Sequence, residues 1–177
     1  MLFFTADSHF NHDNIITYCN RPFTNAEEMN AKLIENWNAC VKPQDAVYHL
    51  GDFGFFKGDD AIDTMNLLNG MKYILPGSHD QWIVNMCHRS LSGAGYYIFK
   101  PGYIDITVSG QLIILGHYAM RSWPKSFHGS WHLFGHSHGR LESYGKSFDV
   151  GVDCHNYFPI DFDTVKKWMD LLPNNKD

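Results

Sequence analysis

Short apolar runs alternate with amphipathic stretches in the first half of the chain and follow one another in the second half. Leu2–Ala6, Ala46–Leu50 and Tyr73–Leu75 read as buried strands. Met29, Leu33, Trp37 and Val41 fall on one face of a helix, with Thr24 as N-cap and Glu27 completing a capping box ahead of it, and Pro43 as its stop. Asp59–Asn69 reads as a second helix closed by Gly70, and Gln81–His88 as a short third. From Tyr96 onward the pattern predicts strands at Tyr96–Phe99, Tyr103–Val108, Leu112–Leu115, His132–Phe134, Leu141–Tyr144 and Ser147–Val150. A last helix is predicted over Asp163–Leu172, with Val165, Trp168, Met169 and Leu172 on one face and Pro173 ending it. Alternation first and consecutive strands later predict an α/β chain with sheets covered by helices. With no linker or repeat, one domain over residues 1–177 is expected.

Composition narrows the function. The 177 residues carry 44% hydrophobic and 15% aromatic side chains, enough for a packed core. No apolar run reaches the roughly 20 residues of a membrane span, and no secretory signal is expected. Cys19, Cys40, Cys87 and Cys154 are scattered without a C-x-x-C pair, which speaks against a disulfide framework and for reduced thiols in a cytoplasm. The net charge of -5 disfavours a long nucleic-acid footprint and leaves a small substrate as the expected partner; it says nothing of oligomeric state. The 11 histidines are the unusual count, because His is both a metal ligand and a neutral-pH acid or base.

Their placement is patterned. Five times an apolar run ends and a ligand-type residue follows at once: Asp7-Ser8-His9, Gly51-Asp52, Gly77-Ser78-His79-Asp80, Gly116-His117 and Gly135-His136-Ser137-His138. In an extended segment residues i and i+2 share a side, so Asp7 and His9 are expected to reach one ion together, and His136 and His138 are expected to share a side. A mixed N/O set without thiolate suits Mn, Fe, Zn, Co or Ni. His12, Arg21, Arg121 and Lys125 are candidates for holding phosphate, Arg through bidentate contacts. Asn11, Tyr118, His128 and His155 are further cleft candidates; Phe53, Phe55 and Phe56 are assigned to the core, and His49 and His132 to buried positions.

In this order the five motifs resemble the signature of the calcineurin-like metallophosphoesterases, and the segments 4–12 and 128–138 resemble its small bacterial and phage members. The resemblance implies a four-layer αββα sandwich of two mixed sheets flanked by helices. It implies two divalent ions, manganese favoured: the first on Asp7, His9 and His138, the second on His117, His136 and residue 78, with Asp52 bridging. It further implies His79 facing the scissile phosphate, and Asp80 hydrogen-bonding and orienting His79. The activity implied is hydrolysis of a phosphoester, a phosphodiester foremost, with a phosphomonoesterase, a nuclease or a catalytically weakened metal-binding scaffold as alternatives. The family pattern in the third motif is Gly-Asn-His-Asp, whereas this chain has Ser78 in place of the Asn. A hydroxyl is a poorer neutral donor than an amide oxygen, so the second site is expected to be weaker or to recruit a water.

Overall fold

The computed structural model describes residues 1–57, 60–84 and 95–175. Asp59, Cys87 and residues 85–88 of the expected third helix lie outside them. Two mixed sheets share one core and are flanked by helices, as expected. The first sheet joins β1 (Leu2–Thr5), β2 (Ala46–His49), β3 (Met71–Ile74), β4 (Tyr96–Ile98) and β9 (Ile160–Asp161) in the order β4-β3-β2-β1-β9. All pairs are parallel except β1 with β9. The second sheet, β5-β6-β7-β8, holds Tyr103–Val108, Gln111–Gly116, Trp131–Phe134 and Ser147–Asp149, with only β5 antiparallel to its neighbour.

The central strands are apolar on both faces because both faces are covered. Phe3 and Val47 point to α1 (Asp13–Tyr18), α2 (Ala26–Cys40), α3 (Asp60–Leu67) and α4 (Gln81–Val84), packing with Ile15, Met29, Leu33, Trp37, Met65 and Ile83. Phe4 points the other way, into a second cluster with Ile113, Leu115, Leu133 and, from α5 (Phe162–Leu171), Val165 and Met169. Among the described residues no helix is long and apolar enough to cross a membrane.

The differences from the sequence reading are local. The cap of α2 is Asn25, whose side chain accepts from the Glu28 N–H at 2.9 Å; Thr24 instead donates its N–H and hydroxyl to the Glu28 carboxylate. The capping pair therefore sits one residue later than expected, which Asn serves as well as Thr. Trp168 is exposed rather than on the buried face of α5. Leu141–Tyr144 forms no strand: Leu141 is exposed, Tyr144 lies under the Arg121 guanidinium, and Gly139 and Gly145 bracket the stretch with positive φ. α1 and β9 are short elements with no legible pattern; β9 is two residues long, and its Asp161 also caps α5 by accepting from Thr164 N–H.

Topology places the site. Parallel strands direct their carboxyl ends to one edge of each sheet, and a parallel bridge between Ala6 and Gly151 sets β1 and β8 in the same direction. Both carboxyl edges therefore meet, and the five motifs lie on the loops that leave them.

Candidate metal centre

The ligand residues follow their strands by a turn in the backbone, not by extension. Asp7, His9, Asp52, His136 and His138 all have positive φ, between 48° and 66°. The expected extended i, i+2 geometry is thus replaced by left-handed residues, which bring Asp7 and His9 into one set and send His136 and His138 to different ones. This conformation costs a non-glycine residue about 1–2 kcal/mol, and such strain persists only where neighbours enforce it. Here the neighbours are backbone bonds between loops: Asp7 N–H donates to Gly51 C=O, His9 N–H to Asp52 C=O, and Gly135 N–H to His117 C=O. Gly135 is required by close approach, since a Cβ there would lie 2.8 Å from Asp7 Oδ2 and 2.5 Å from Ala6 Cβ.

Asp7, His9 and His138 converge, their ligand atoms within 4.8 Å of one another. Both Asp7 carboxylate oxygens accept from the His136 N–H. His138 donates Nδ1–H to Asp153 Oδ2 at 2.7 Å, which leaves Nε2 free to ligate. Asp153 is gripped in turn by Arg21, whose Nε and Nη2 reach its two oxygens at 2.8 Å. The remaining Arg21 donors go to Ser8 C=O, Asp7 C=O and the Met29 sulfur. Arg21 was expected at the substrate; it is instead buried, with its fork spent on bracing the loop that carries Asp7 and His9. Cys19 also approaches His138 and Asp153, but those two are already paired with each other and with Arg21.

Asp52, His117 and His136 form the second set. His117 donates Nδ1–H to Leu50 C=O at 2.9 Å and turns Nε2 inward. Asp52 lies between the sets, its Oδ2 3.7 Å from His9 Nε2 and 3.3 Å from His117 Nε2. Neither nitrogen is aligned for a hydrogen bond, so both are buried without a partner. A buried imidazole lone pair without a donor is costly, and a cation satisfies it. The carboxylate and imidazole donors, with their second nitrogens fixed by Leu50, Asp153 and, for His9, the His12 ring, suit divalent ions at both positions.

Electrostatics agrees. Burial pushes the Asp7 carboxyl up to about 7, against the pull of His138 and His117. Burial likewise pushes His9 down to about 2. Asp52 resists burial: the adjacent His117, the His79 N–H and His9 hold it well below the usual carboxylate range. Without cations Asp7 is thus only partly ionised near neutral pH and His9 is neutral, whereas ligation calls for an ionised carboxylate and neutral imidazoles.

The remaining expected residues separate. Ser78 Oγ donates to the Asp52 carboxylate at 3.0 and 3.2 Å, beside the second set. His79 donates its backbone N–H to Asp52 at 2.8 Å, and its ring is exposed, 5.6 Å from the His9 ring and 6.2 Å from the His12 ring. Asp80 does not hold the His79 ring; its oxygens accept from the Phe53 and Gly77 N–H groups, so it fixes the two loops on either side. His12 joins the site, Nδ1 to Nδ1 with His9 at 3.2 Å. Arg121 is exposed and stacked over Tyr144, 3.9 Å from the ring centroid. His49 and His132 are buried, His49 against Ser8 Oγ and His132 against Ile114 C=O. Asp153 and Asp149 were not anticipated. Asp149 accepts from Ser137 Oγ and the Gly139 and Gly151 N–H groups and so ties the His136–His138 loop down. Val150-Gly151-Val152-Asp153 repeats the design of an apolar run, a Gly and an acid, and that repetition was the available signal.

No family model matches the chain. A protein of Methanocaldococcus jannaschii, MJ1445, which is uncharacterised, is 35% identical over 96% of this chain and 91% of its own. The structure of a protein of unknown function from Aquifex aeolicus, AQ665, superposes with a TM-score of 0.69 at 22% identity, covering 95% of this chain and 98% of that one. Yfce, a phosphoesterase from E. coli, overlaps more loosely, with a TM-score of 0.46 at 18% identity over 85% of this chain and 77% of its own. The chain belongs to one family with the M. jannaschii protein, and its five motifs, carried on two joined sheets, resemble the signature of the calcineurin-like metallophosphoesterases.

Proposed function

We propose that the protein is a metal-dependent phosphodiesterase that cleaves a small or nucleotide-type ester. The observation that carries this reading is the pair of buried, unpartnered nitrogens, His9 Nε2 and His117 Nε2, on either side of Asp52 with an exposed His79 beside them. Asp7, His9 and His138 would hold one divalent ion, His117 and His136 the other, with Asp52 between. Such a pair supplies a nucleophile from water at neutral pH and neutralises charge on a phosphoryl group. The chain's own groups supply the rest. His79, pinned by its backbone to Asp52, presents its imidazole to the open side, where it can donate to a phosphoryl oxygen or to the departing alkoxide. His12 lines the same side. Arg21 and Asp153 keep His138 in the tautomer with Nε2 free. The acidic net charge supports a compact substrate over a long nucleic acid.

The test is hydrolysis of a chromogenic phosphodiester and of the matching monoester with manganese, iron, zinc, nickel or cobalt added. The expected outcome is metal-dependent cleavage of the diester that falls by about 10²–10⁴-fold in His79→Ala. Metal binding with no cleavage of either ester would instead support a binding scaffold. The same experiment tests residue 78. The hydroxyl of Ser78 is spent on Asp52, so Ser78→Asn is expected to raise occupancy of the second position; equal metal stoichiometry and affinity in both proteins would overturn that expectation.

A further inference from the structure

Phe55 and Tyr118 are large aromatic side chains that remain exposed at the rim of the candidate metal centre, one beside each ligand set. Phe55 is 39% exposed and Tyr118 54% exposed. The Phe55 ring lies 4.3 Å from the His12 ring, 5.2 Å from His79 and 6.5 Å from His9. The Tyr118 ring lies 4.6 Å from His136 and 4.9 Å from His117. Phe55 was expected in the core with Phe53 and Phe56; only Phe53 is fully buried, while Phe55 turns to the site.

Both rings stand on fixed backbone. Phe55 N–H donates to Phe10 C=O at 2.8 Å, next to the Phe10–Gly54 bridge. The loop after β6 is anchored by the buried His132, whose Nε2 accepts the Met120 N–H and lies 3.2 Å from Tyr118 C=O. Platforms held in this way lose little freedom when a ligand lies on them. Isolated exposed aromatics are ordinary on a protein surface. Phe55 against His12 and His79, beside the first ligand set, and Tyr118 against His136 and His117 of the second form a pattern that packing alone does not require.

We infer that Phe55 and Tyr118 are specificity-determining residues that stack planar substituents of the ester, so that the substrate is a phosphodiester bearing a nucleobase-type ring rather than an alkyl diester. This rests on the phosphodiesterase reading above. A phosphorus centred between the ligand sets carries one ester group toward His79 and Phe55 and leaves the other on the side of His136 and Tyr118. Each ring then offers a π-face to whatever planar group arrives, with neighbouring imidazoles contributing polar edges.

The test compares thymidine 5′-(p-nitrophenyl) phosphate with methyl p-nitrophenyl phosphate. Both release the same nitrophenolate, so the ratio of their kcat/KM values reports recognition of the other substituent. The wild-type protein is expected to favour the thymidine ester. The ratio is expected to fall roughly five- to hundredfold in Tyr118→Ala, chiefly through KM, the range that removal of a base-stacking aromatic covers. In Phe55→Ala, on the side of His79 and of the nitrophenolate that both esters share, kcat/KM is expected to fall for both esters with their ratio kept. Phe55→Leu, which keeps apolar bulk without a ring, is expected to match Phe55→Ala and guards against a packing effect, with thermal midpoints reported for all variants. Cleavage of both esters with a ratio near one, with the same ratio in wild type and Tyr118→Ala, or with kcat/KM unchanged in Phe55→Ala overturns this inference and leaves the phosphodiesterase reading standing. Cleavage of neither ester with any of the metals overturns both.

Discussion

At the scale of single residues, the most consequential change from expectation is Arg21. A guanidinium near a phosphoesterase site invites a role at the substrate, but every donor of Arg21 that the structure places is directed at the protein: Asp153, Ser8, Asp7 and the Met29 sulfur. It therefore acts through His138 and the Asp7–His9 turn. Arg21→Ala removes one of the two charge partners of the half-buried Asp153 and leaves His138 as the other, a loss of at most about 3–5 kcal/mol of stability. It is expected to weaken metal binding by about 10–100-fold, as removal of partners behind metal ligands does. Arg21→Lys is expected to restore little, because an ammonium lacks the fork that spans both Asp153 oxygens. Metal titration followed by calorimetry, with urea unfolding of the same variants, checks both effects.

His49 shows what a buried histidine does when it is not a ligand. It is fully buried, bonded to Ser8 Oγ, and burial holds its ring down to about 3. The folded state thus keeps His49 neutral while the unfolded chain takes up a proton near 6.5. Stability from this group is fully present above about 6.5 and is lost as pH falls toward 3. His49→Gln, which retains a partner for Ser8, is expected to flatten that acid-side loss. Urea midpoints of metal-free wild type and variant at pH 7 and pH 5 should differ by less in the variant.

At the scale of elements, the face of α2 and the apolar strands β1 to β8 were read correctly, whereas α1 and β9 were not seen and Leu141–Tyr144 is no strand. The face Met29, Leu33, Trp37 and Val41 is buried as its spacing demands, because a helix of 15 residues repeats its period often enough to be seen. α1 has six residues and no side-chain cap, and β9 has two, so neither contains a full pattern. The start of α2 is a choice between adjacent polar residues that only the fold makes. Asn25→Ala is expected to cost about 1 kcal/mol, the usual value of a lost N-cap, and Thr24→Ala less, since its hydroxyl meets only an exposed Glu28. Chemical denaturation of the two variants distinguishes the assignments; a larger loss for Thr24→Ala would restore the original one.

At the scale of the whole molecule, the metal centre is a joint between sheets. Asp7, His9 and Asp52 leave β1 and β2 of the first sheet, while His117, His136 and His138 leave β6 and β7 of the second. Cations bound there would be present in the folded state alone and would tie the two halves together. Removing them with a chelator is expected to lower the unfolding midpoint, and restoring them at about a hundred times Kd to return about 2.7 kcal/mol. Thermal unfolding with and without manganese measures this; no shift would contradict a two-sheet metal joint.

The sequence by itself determined the candidate ligands. Asp7, His9, Asp52, His117, His136 and His138 are legible because each stands within four residues of the end of an apolar run, and that local arrangement is written in nearby residues. The tertiary structure decided what depends on distance across the chain. It paired Arg21 with Asp153, 132 positions away, turned Asp80 to Phe53 and Gly77 rather than to His79, and left Phe55 and Tyr118 exposed at opposite ends of the site. Partners of this kind are set by where two sheets meet, and a chain read in one dimension carries no measure of that meeting.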